Sequence, residues 1–192
     1  MPTAQPSRSK RKKERPSLAA ALRRIRLVAT DVDGVLTDGG MVYAESGEES
    51  KRFHVRDGMG IKLLQKAGFI TAIITQEQSR LVARRAERLA IPEVHQGIMD
   101  KLGALRDLAA RYGLSLDQVA YVGDDVNDLE ALRGAGFSAA PADAVPAVLQ
   151  AVRYRCRHRG GDGAVREVAD LLLAAQGFDP RGERADAPRG RS

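Results

Sequence analysis

The stretch Asp31-Val32-Asp33-Gly34-Val35-Leu36-Thr37-Asp38-Gly39 decides the fold of this chain. It follows the apolar run 27–30, which predicts a buried strand. Because a strand alternates its faces, the carboxylates of Asp31 and Asp33 can converge only if the backbone turns sharply after Asp31. Gly34 permits that turn. Like charges this close disfavour joint ionisation unless a cation or a shared proton compensates. The pair indicates a site for a hard cation with one carboxylate free for chemistry, whereas the alternative is a solvated Asp-rich turn.

Two further apolar runs also end in polar residues. Residues 70–75 end at Thr75, and residues 119–122 lead into Gly123-Asp124-Asp125-Val126-Asn127-Asp128. Lys101 stands near the start of a predicted helix, where a cation opposes the helix dipole. A lysine at this position suggests a compensating anion, either a phosphate or Asp31. In open α/β sheets the carboxyl ends of the strands meet at the ligand-binding edge. Helices alternate with these strands, so the sequence predicts an α/β fold with a doubly wound parallel sheet.

Composition limits the classes of function. The formal charge is +6, but residues 1–16 carry six basic side chains against Glu14, and residues 177–192 carry a further net charge of +1. The region between them is therefore close to neutral, which argues against a nucleic-acid partner for anything except the basic tail. The single cysteine, Cys156, excludes an internal disulfide framework.

The sequence also predicts the location and the domain plan. No apolar run approaches the roughly 18 residues of a membrane span, and the basic N-terminus is not followed by the apolar stretch of a secretory signal. We expect a cytoplasmic protein with no membrane partner. Its plan is a disordered basic tail over residues 1–16, one domain over 17–176 and a second disordered tail over 177–192.

Residues 40–55 interrupt the alternation of strands and helices. Two short strand-like runs flank a turn that contains Gly47, which predicts a β-hairpin. An isolated hairpin is marginal in water, so we expect this one to pair with copies of itself.

Taken together, these motifs resemble a known family. The order DVDGVLTDG, IIT, Lys101 and GDDVND is similar to the catalytic motifs of the haloacid dehalogenase-like superfamily of aspartate-nucleophile phosphatases. Residues 53–60 and 160–167 resemble its small capless branch, which acts on 3-deoxy-D-manno-octulosonate 8-phosphate or on nononate (acylneuraminate) 9-phosphates. The resemblance covers roughly residues 24–176. It implies a Rossmann-like sheet with a projecting hairpin, no large cap domain, and a homotetramer whose hairpins wall the active site.

The resemblance also implies catalytic roles. Asp31 would be the nucleophile that forms an aspartyl-phosphate, and Asp33 would be the general acid and then the general base. Thr75 and Lys101 would bind the phosphoryl oxygens, and Lys101 would act as a point cation.

A Mg²⁺ site follows from the same motifs. Asp124 would bind the ion with Asp31 and the backbone carbonyl of Asp33, because magnesium prefers oxygen ligands. Asp128 would support the outer shell of the metal, while Asp125 is equally explained as a helix cap. No clustering of His and Cys in the sequence favours zinc.

The substrate would be a phosphorylated sugar acid. The resemblance puts one segment against it, made of His54, Val55, Arg56, Asp57 and Gly58. Arg166, on a Gly-rich loop, would pair with the substrate carboxylate, either within one subunit or across a subunit boundary.

One motif departs from the octulosonate pattern. Those phosphatases generally read Ile-Ile-Thr-Gly-Arg after the second strand, whereas this chain has Gln76 and Glu77 after the threonine. Nononate phosphatases place Glu there and follow it with a basic run, in which Arg85 would meet the substrate carboxylate. Reversal of charge beside a polyanionic substrate changes specificity, so the sequence slightly favours the nononate. The alternative from another class is a non-catalytic oligomerisation or regulatory domain linked to sugar-acid activation.

Overall fold

A computed structural model describes residues 16–185. The predicted basic tail lies outside this range except for Pro16, and so does the last part of the C-terminal tail, residues 186–192. The helices are α1 (Leu18–Arg24), α2 (Val55–Lys66), α3 (Arg80–Leu89), α4 (Lys101–Arg111), α5 (Leu129–Gly134), α6 (Pro146–Ala151) and α7 (Ala164–Ala175). The strands are β1 (Leu27–Thr30), β2 (Val42–Tyr43), β3 (Glu49–Ser50), β4 (Ile70–Ile74), β5 (Glu93–His95), β6 (Val119–Val122), β7 (Phe137–Ala140) and β8 (Tyr154–Arg155).

Six strands form one sheet in the order β5-β4-β1-β6-β7-β8, and every pairing within it is parallel. The central strand β1 pairs with β4 on one side and with β6 on the other, so that Thr30 is in register with Ile73 and Val122. The loops after these three strands therefore leave the sheet at the same edge. The predicted doubly wound α/β fold is confirmed.

The hydrophobic core lies on both faces of the sheet. Along β1, Val28 packs into the layer that contains α1, α2, α3 and α7, whereas Leu27 and Ala29 pack into the layer that contains α4, α5 and α6. Both layers are apolar, which explains why the strands read as continuous hydrophobic runs rather than as an alternating pattern. Because both faces of the sheet are packed, the position at which each strand ends is fixed. The positions of the polar residues that follow the strands are fixed with it.

The hairpin forms a separate two-stranded antiparallel sheet, in which Val42 pairs with Ser50 and Tyr43 with Glu49. It lies where the sequence predicts it, and its strands are only two residues long. Three apolar side chains of the hairpin region, Met41, Val42 and Tyr43, are exposed to solvent.

Residues 177–185 have defined contacts beyond the domain boundary that we expect at residue 176. A bridge pairs Phe178 with Arg184, and the Asp179 carboxylate accepts hydrogen bonds from the amides of Arg181 and Glu183. Lys66 of α2 holds this turn through Glu183 at 3.0 Å. The segment is polar and has no periodicity, so its sequence carries no signal for these contacts. Over residues 16–185, no helix is both long and apolar enough to cross a bilayer.

Candidate active site

The turn after β1 brings the first two aspartates together. The Val32 carbonyl accepts hydrogen bonds from the amides of Leu36 and Thr37, at 2.8 and 3.0 Å, and so closes a tight turn. Gly34 has a φ of +79°, and a Cβ atom there would lie 2.0 Å from Oδ2 of Asp124. Glycine is therefore required twice at this position, for the backbone conformation and for the close approach of a second acidic loop.

The Gly-rich loop of residues 160–163 packs against this turn. A Cβ atom on Gly160 would lie 1.8 Å from the carbonyl oxygen of Gly34, and the amide of Gly161 donates to the Val35 carbonyl at 3.0 Å. The loop therefore packs against the turn that carries Asp31 and Asp33.

Lys101 joins two of the aspartates. Its Nζ lies 2.5 Å from Oδ2 of Asp31 and 2.7 Å from Oδ1 of Asp128, and all three side chains are buried. The cation at the start of α4 thus has the compensating anion that its position requires. Burial works to lower the pKa of Lys101, but the two carboxylates outweigh it and raise that pKa. The ammonium is charged at neutral pH and sits beside the carboxylate that would attack phosphorus.

Asp128 connects the two acidic loops. Its carboxylate is completely buried; Oδ1 accepts from Lys101 and from the hydroxyl of Tyr121 at 2.7 Å, and Oδ2 accepts from the amides of Asp124 and Asp125. Because both oxygens are occupied by protein donors, Asp128 holds its neighbours in place rather than offering a free ligand atom.

The Asp125 carboxylate accepts from the Val126 amide at 2.6 Å, which is the capping role that the sequence left open.

The remaining carboxylate oxygens suit a hard cation. One carboxylate oxygen of Asp31 and one of Asp124 lie within 4.8 Å of each other and of an Asp128 oxygen, which protein donors already occupy. Oδ1 of Asp124 is buried and has no hydrogen-bond partner among residues 16–185, and a buried polar atom without a partner is costly. Burial and the Asp128 carboxylate raise the pKa of Asp124 to about 7 and that of Asp31 to about 6. A divalent cation on Asp31 and Asp124 would relieve both costs, so these residues fit a metal ion.

Asp33 has a partner that the sequence did not reveal. Lys51, just after β3, places Nζ 2.7 Å from Oδ1 of Asp33 and 2.8 Å from Oε2 of Glu77, and its side chain is fully covered. The Asp33 carboxylate raises the pKa of Glu77, and Lys51 opposes that effect. Lys51 therefore links the hairpin, the candidate general acid and the residue that departs from the octulosonate pattern. Its sequence context does not distinguish it from Arg52.

A cavity of about 450 Å³ opens over these groups. Its lining residues are Asp31, Asp33, Gly34, Gly39, Thr75, Gln76, Glu77, Asp124, Asp125 and Asn127. Thr75 follows β4 and is buried, and the side chains of Gln76 and Asn127 meet across the cavity at 3.1 Å. The Ser79 amide donates to the side chain of Gln96, and the Ser79 hydroxyl caps the start of α3. The helix therefore begins at Arg80, and Glu77 lies in the preceding loop, which lines the cavity.

Other predicted site residues lie elsewhere. The Asp57 carboxylate is buried and accepts from the amides of Gly163 and Arg166, at 3.1 and 2.8 Å, so it anchors the start of α7. Arg85 stacks over the Phe53 ring at 5.5 Å and donates to the His54 carbonyl at 3.1 Å. Within one chain, neither side chain lines the cavity of about 450 Å³ over Asp31 and Asp124.

Arg56 and Arg166 line a second cavity of about 490 Å³. The Arg166 guanidinium pairs with Asp170 at 2.8 Å. The His54 ring lies between Asp57 and Asp162, at 3.8 and 3.7 Å. Val55 is exposed, and Gly58 is buried where a Cβ atom would approach Arg85 to 2.4 Å. Contact of these residues with substrate stays a prediction.

Comparisons with known proteins agree with this geometry. A family model described as haloacid dehalogenase-like hydrolase matches residues 65–168. The 3-deoxy-D-manno-octulosonate 8-phosphate phosphatase of Yersinia pestis is 46% identical over 152 residues, which cover 79% of this chain and 81% of that protein.

Two solved structures give the same result. The octulosonate 8-phosphate phosphatase of Moraxella catarrhalis, in complex with magnesium, phosphate and 3-deoxy-D-manno-octulosonate (KDO), has a TM-score of 0.81 at 43% identity, covering 82% of this chain and 91% of that one. The cobalt-bound enzyme of Haemophilus influenzae has a TM-score of 0.79 at 44% identity, covering 82% and 92%. The family predicted from the motifs is therefore confirmed, and the chain belongs to the haloacid dehalogenase-like hydrolases, among relatives that are phosphatases.

Proposed function

We propose that this chain is a Mg²⁺-dependent phosphatase that removes the terminal phosphate of a 2-keto-3-deoxy sugar acid, with 3-deoxy-D-manno-octulosonate 8-phosphate as the preferred substrate. One observation carries the reaction type. Asp31 stands at the end of the central strand with Lys101 2.5 Å from its Oδ2, and Asp33 follows two residues later at the same cavity. A nucleophile, a cation for the phosphoryl group and an acid for the leaving group are thus brought together.

In the first half of the reaction, a carboxylate oxygen of Asp31 attacks phosphorus in line with the ester oxygen. The bond from phosphorus to the sugar oxygen breaks as the bond to Asp31 forms. Asp33 donates its proton to the departing sugar oxygen, so the sugar leaves as a neutral alcohol. Lys101 and the Thr75 hydroxyl stabilise the charge on the equatorial phosphoryl oxygens.

In the second half, Asp33 is a carboxylate and removes a proton from a water molecule. The water oxygen attacks phosphorus, the bond to Asp31 breaks, and inorganic phosphate leaves. The Asp31 carboxylate and the Asp33 acid are regenerated, so the net change is hydrolysis of one ester bond. Lys51 holds the Asp33 side chain in place through both steps, as the acid in the first and as the carboxylate in the second, since its ammonium contacts Oδ1 at 2.7 Å.

Asp31 and Asp124 would hold Mg²⁺, which supplies positive charge to the phosphoryl oxygens when it is bound. The unpartnered Oδ1 of Asp124 supports this assignment. Asp128 and Lys101 position the two ligands from the protein side.

The choice of sugar depends on two sets of observations. The curated and structural relatives named above are octulosonate phosphatases at 43–46% identity, which supports the eight-carbon substrate. Glu77 favours the nononate 9-phosphate, because it lines the catalytic cavity where the octulosonate pattern has a cation. Arg85, the other residue that favoured the nononate, is engaged with Phe53 and His54. We therefore give preference to the eight-carbon substrate and retain the nononate as the second candidate.

The decisive experiment compares kcat/KM for the two sugar-acid phosphates with purified protein and Mg²⁺. We expect turnover of both classes to depend on Asp31, and a higher kcat/KM for the octulosonate. Asp31→Asn should abolish phosphate release while the melting temperature remains close to that of the wild type. A wild-type protein that releases no phosphate would support the non-catalytic alternative, and a higher kcat/KM for the nononate would reverse the choice of sugar.

We also infer that the chain self-associates through the hairpin, as the family resemblance implies. The hairpin exposes three apolar residues: Met41 is 40% exposed, Val42 61% and Tyr43 66%. An isolated two-stranded sheet is only marginally stable in water, and an exposed apolar patch of this kind marks a contact surface. Light scattering of the wild type and of Val42→Asp tests this: we expect a tetramer and a smaller species, respectively. A monomeric wild type at micromolar concentration would exclude it.

A further inference from the structure

We propose that Tyr121 is a positioning residue for Lys101, acting through Asp128, an inference that rests on the proposed phosphatase function. Tyr121 lies within β6, and its side chain is completely buried. Its hydroxyl donates to Oδ1 of Asp128 at 2.7 Å, and the Ile74 carbonyl at 3.5 Å is the only other acceptor recorded for it in the described chain. The ring belongs to the core, but the hydroxyl points at the catalytic network.

The Asp128 carboxylate has its acceptor capacity filled. An ionised carboxylate accepts at about four positions, and four donors surround this one: Tyr121 and Lys101 at Oδ1, and the amides of Asp124 and Asp125 at Oδ2. The two amides fix one oxygen to the backbone of the acidic loop. The tyrosine hydroxyl and the lysine ammonium then share the other oxygen.

This sharing sets how Lys101 divides its charge between two carboxylates. Its Nζ lies 2.5 Å from Asp31 and 2.7 Å from Asp128, so neither contact is dominant. Loss of the Tyr121 hydroxyl would leave Oδ1 of Asp128 with the ammonium as its single donor. A buried carboxylate oxygen that is less well satisfied attracts the cation more strongly. Lys101 would then shift towards Asp128, away from Asp31 and the phosphoryl group.

The shift has a kinetic signature. The phosphoryl oxygens need a correctly placed cation most in the transition state, so misplacement of Lys101 lowers kcat more than it raises KM. Tyr121→Phe removes only the hydroxyl and keeps the ring that fills the core, so the variant should fold. Tyr112→Phe is the matched control, because Tyr112 is the C-cap residue of α4, the helix that begins at Lys101, and its hydroxyl donates to Glu93 at 2.8 Å.

The test is a double-mutant cycle on kcat and KM, with a phosphate monoester that the wild type hydrolyses and Mg²⁺ present. We expect Tyr121→Phe to lower kcat about tenfold with KM within twofold, and Tyr112→Phe to change neither. In an Asp128→Asn background, the Tyr121 substitution should have no further effect on kcat. The proposal is overturned by a Tyr121→Phe kcat within twofold of the wild type, or by a tenfold loss that persists in the Asp128→Asn background. A wild type that hydrolyses no phosphate ester overturns the proposed function, and this proposal with it.

Discussion

Lys51 and Asp33 form an ion pair between the hairpin and the turn after β1, with 2.7 Å between Nζ and Oδ1 and with the lysine side chain fully covered. The pair restrains the candidate general acid, which also accepts a hydrogen bond from the Thr37 hydroxyl at 3.3 Å. Two more carboxylates lie on the ammonium, Glu77 at 2.8 Å and Glu49 at 3.4 Å. The hairpin is therefore connected to the residue that we propose as the general acid, and we expect its placement to affect proton transfer within one chain.

Replacement of the lysine should show this coupling. Lys51→Met keeps most of the side-chain length but removes the charge, and so leaves Asp33 and Glu77 as facing carboxylates. We expect kcat to fall about tenfold, because a misplaced general acid loses part of the 10²–10⁴-fold that such a group contributes. Arg52→Met is the control: Arg52 makes an exposed pair with Asp38 at 2.8 Å, which is worth about 0–1 kcal/mol. Equal kcat values for the two variants would show that Lys51 has no part in proton transfer.

Gly34 provides a separate test of the close approach between the two acidic loops. Gly34→Ala should lose most of the phosphatase activity, since the new Cβ would lie 2.0 Å from Oδ2 of Asp124 and displace the carboxylate that we propose as a metal ligand. Gly68 is the matched control, because its φ of +88° is similar but a Cβ atom there would meet nothing within 4 Å. The backbone strain of about 1–2 kcal/mol is common to both alanine variants.

The difference between the two variants isolates the clash. We expect Gly68→Ala to lower the melting temperature and to leave kcat unchanged. Gly34→Ala should lower the melting temperature and also reduce the activity. Similar activity in both would mean that the second loop does not need to approach this closely.

Features encoded locally were predictable from the sequence. The apolar run before Asp31 predicts a strand, and parallel strands send their following residues to one edge, so the cluster of Asp31, Thr75 and Asp124 follows from pattern alone. The anion near Lys101 follows from the helix dipole.

Features created by tertiary contacts were not predictable. Lys51 reaches Asp33 only because the chain reverses at the hairpin, and Asp57 reaches Gly163 across 106 residues. The sequence shows Arg85 as a cation on a helix face, and nothing there indicates that Phe53 lies beneath it. Tyr121 occurs in a strand that is buried on both faces, where periodicity carries no information about which side chain turns its polar end towards the site.

Asp57 should act on stability rather than on substrate binding. Asp57→Ala removes the acceptor for the amides of Gly163 and Arg166, and we expect a loss of about 1–3 kcal/mol in the free energy of unfolding with KM unchanged. The measurements are urea unfolding and steady-state kinetics. Asp107→Ala, on an exposed position of α4, should stay within about 0.5 kcal/mol of the wild type. A tenfold rise in KM for Asp57→Ala at unchanged stability would instead support the contact with substrate that the sequence suggested.

Asp124 should make the metal-free protein less stable as the pH rises. Its pKa is raised from 3.8 to about 7 in the folded state, chiefly by burial and by Asp128. Between those values the native state holds a proton that the unfolded state releases, so the free energy of unfolding falls as the pH increases through this range. Asp124→Asn carries no such proton. In chelator, the variant should therefore be more stable than the wild type at pH 8, by about 1–2 kcal/mol after allowance for partial solvent exposure.

The stabilisation by Asp124→Asn should vanish near pH 4, where both the wild-type side chain and its replacement are neutral. Urea unfolding at pH 4, 6 and 8 measures the difference in the free energy of unfolding between the variant and the wild type, with Asp107→Asn as the exposed control. Addition of Mg²⁺ at pH 8 should reverse the order, because the ion binds the wild-type carboxylate and stabilises the native state by mass action, whereas the amide is a weaker ligand. A difference in stability that does not change with pH, or a variant that gains as much from Mg²⁺ as the wild type, would remove Asp124 from the metal site.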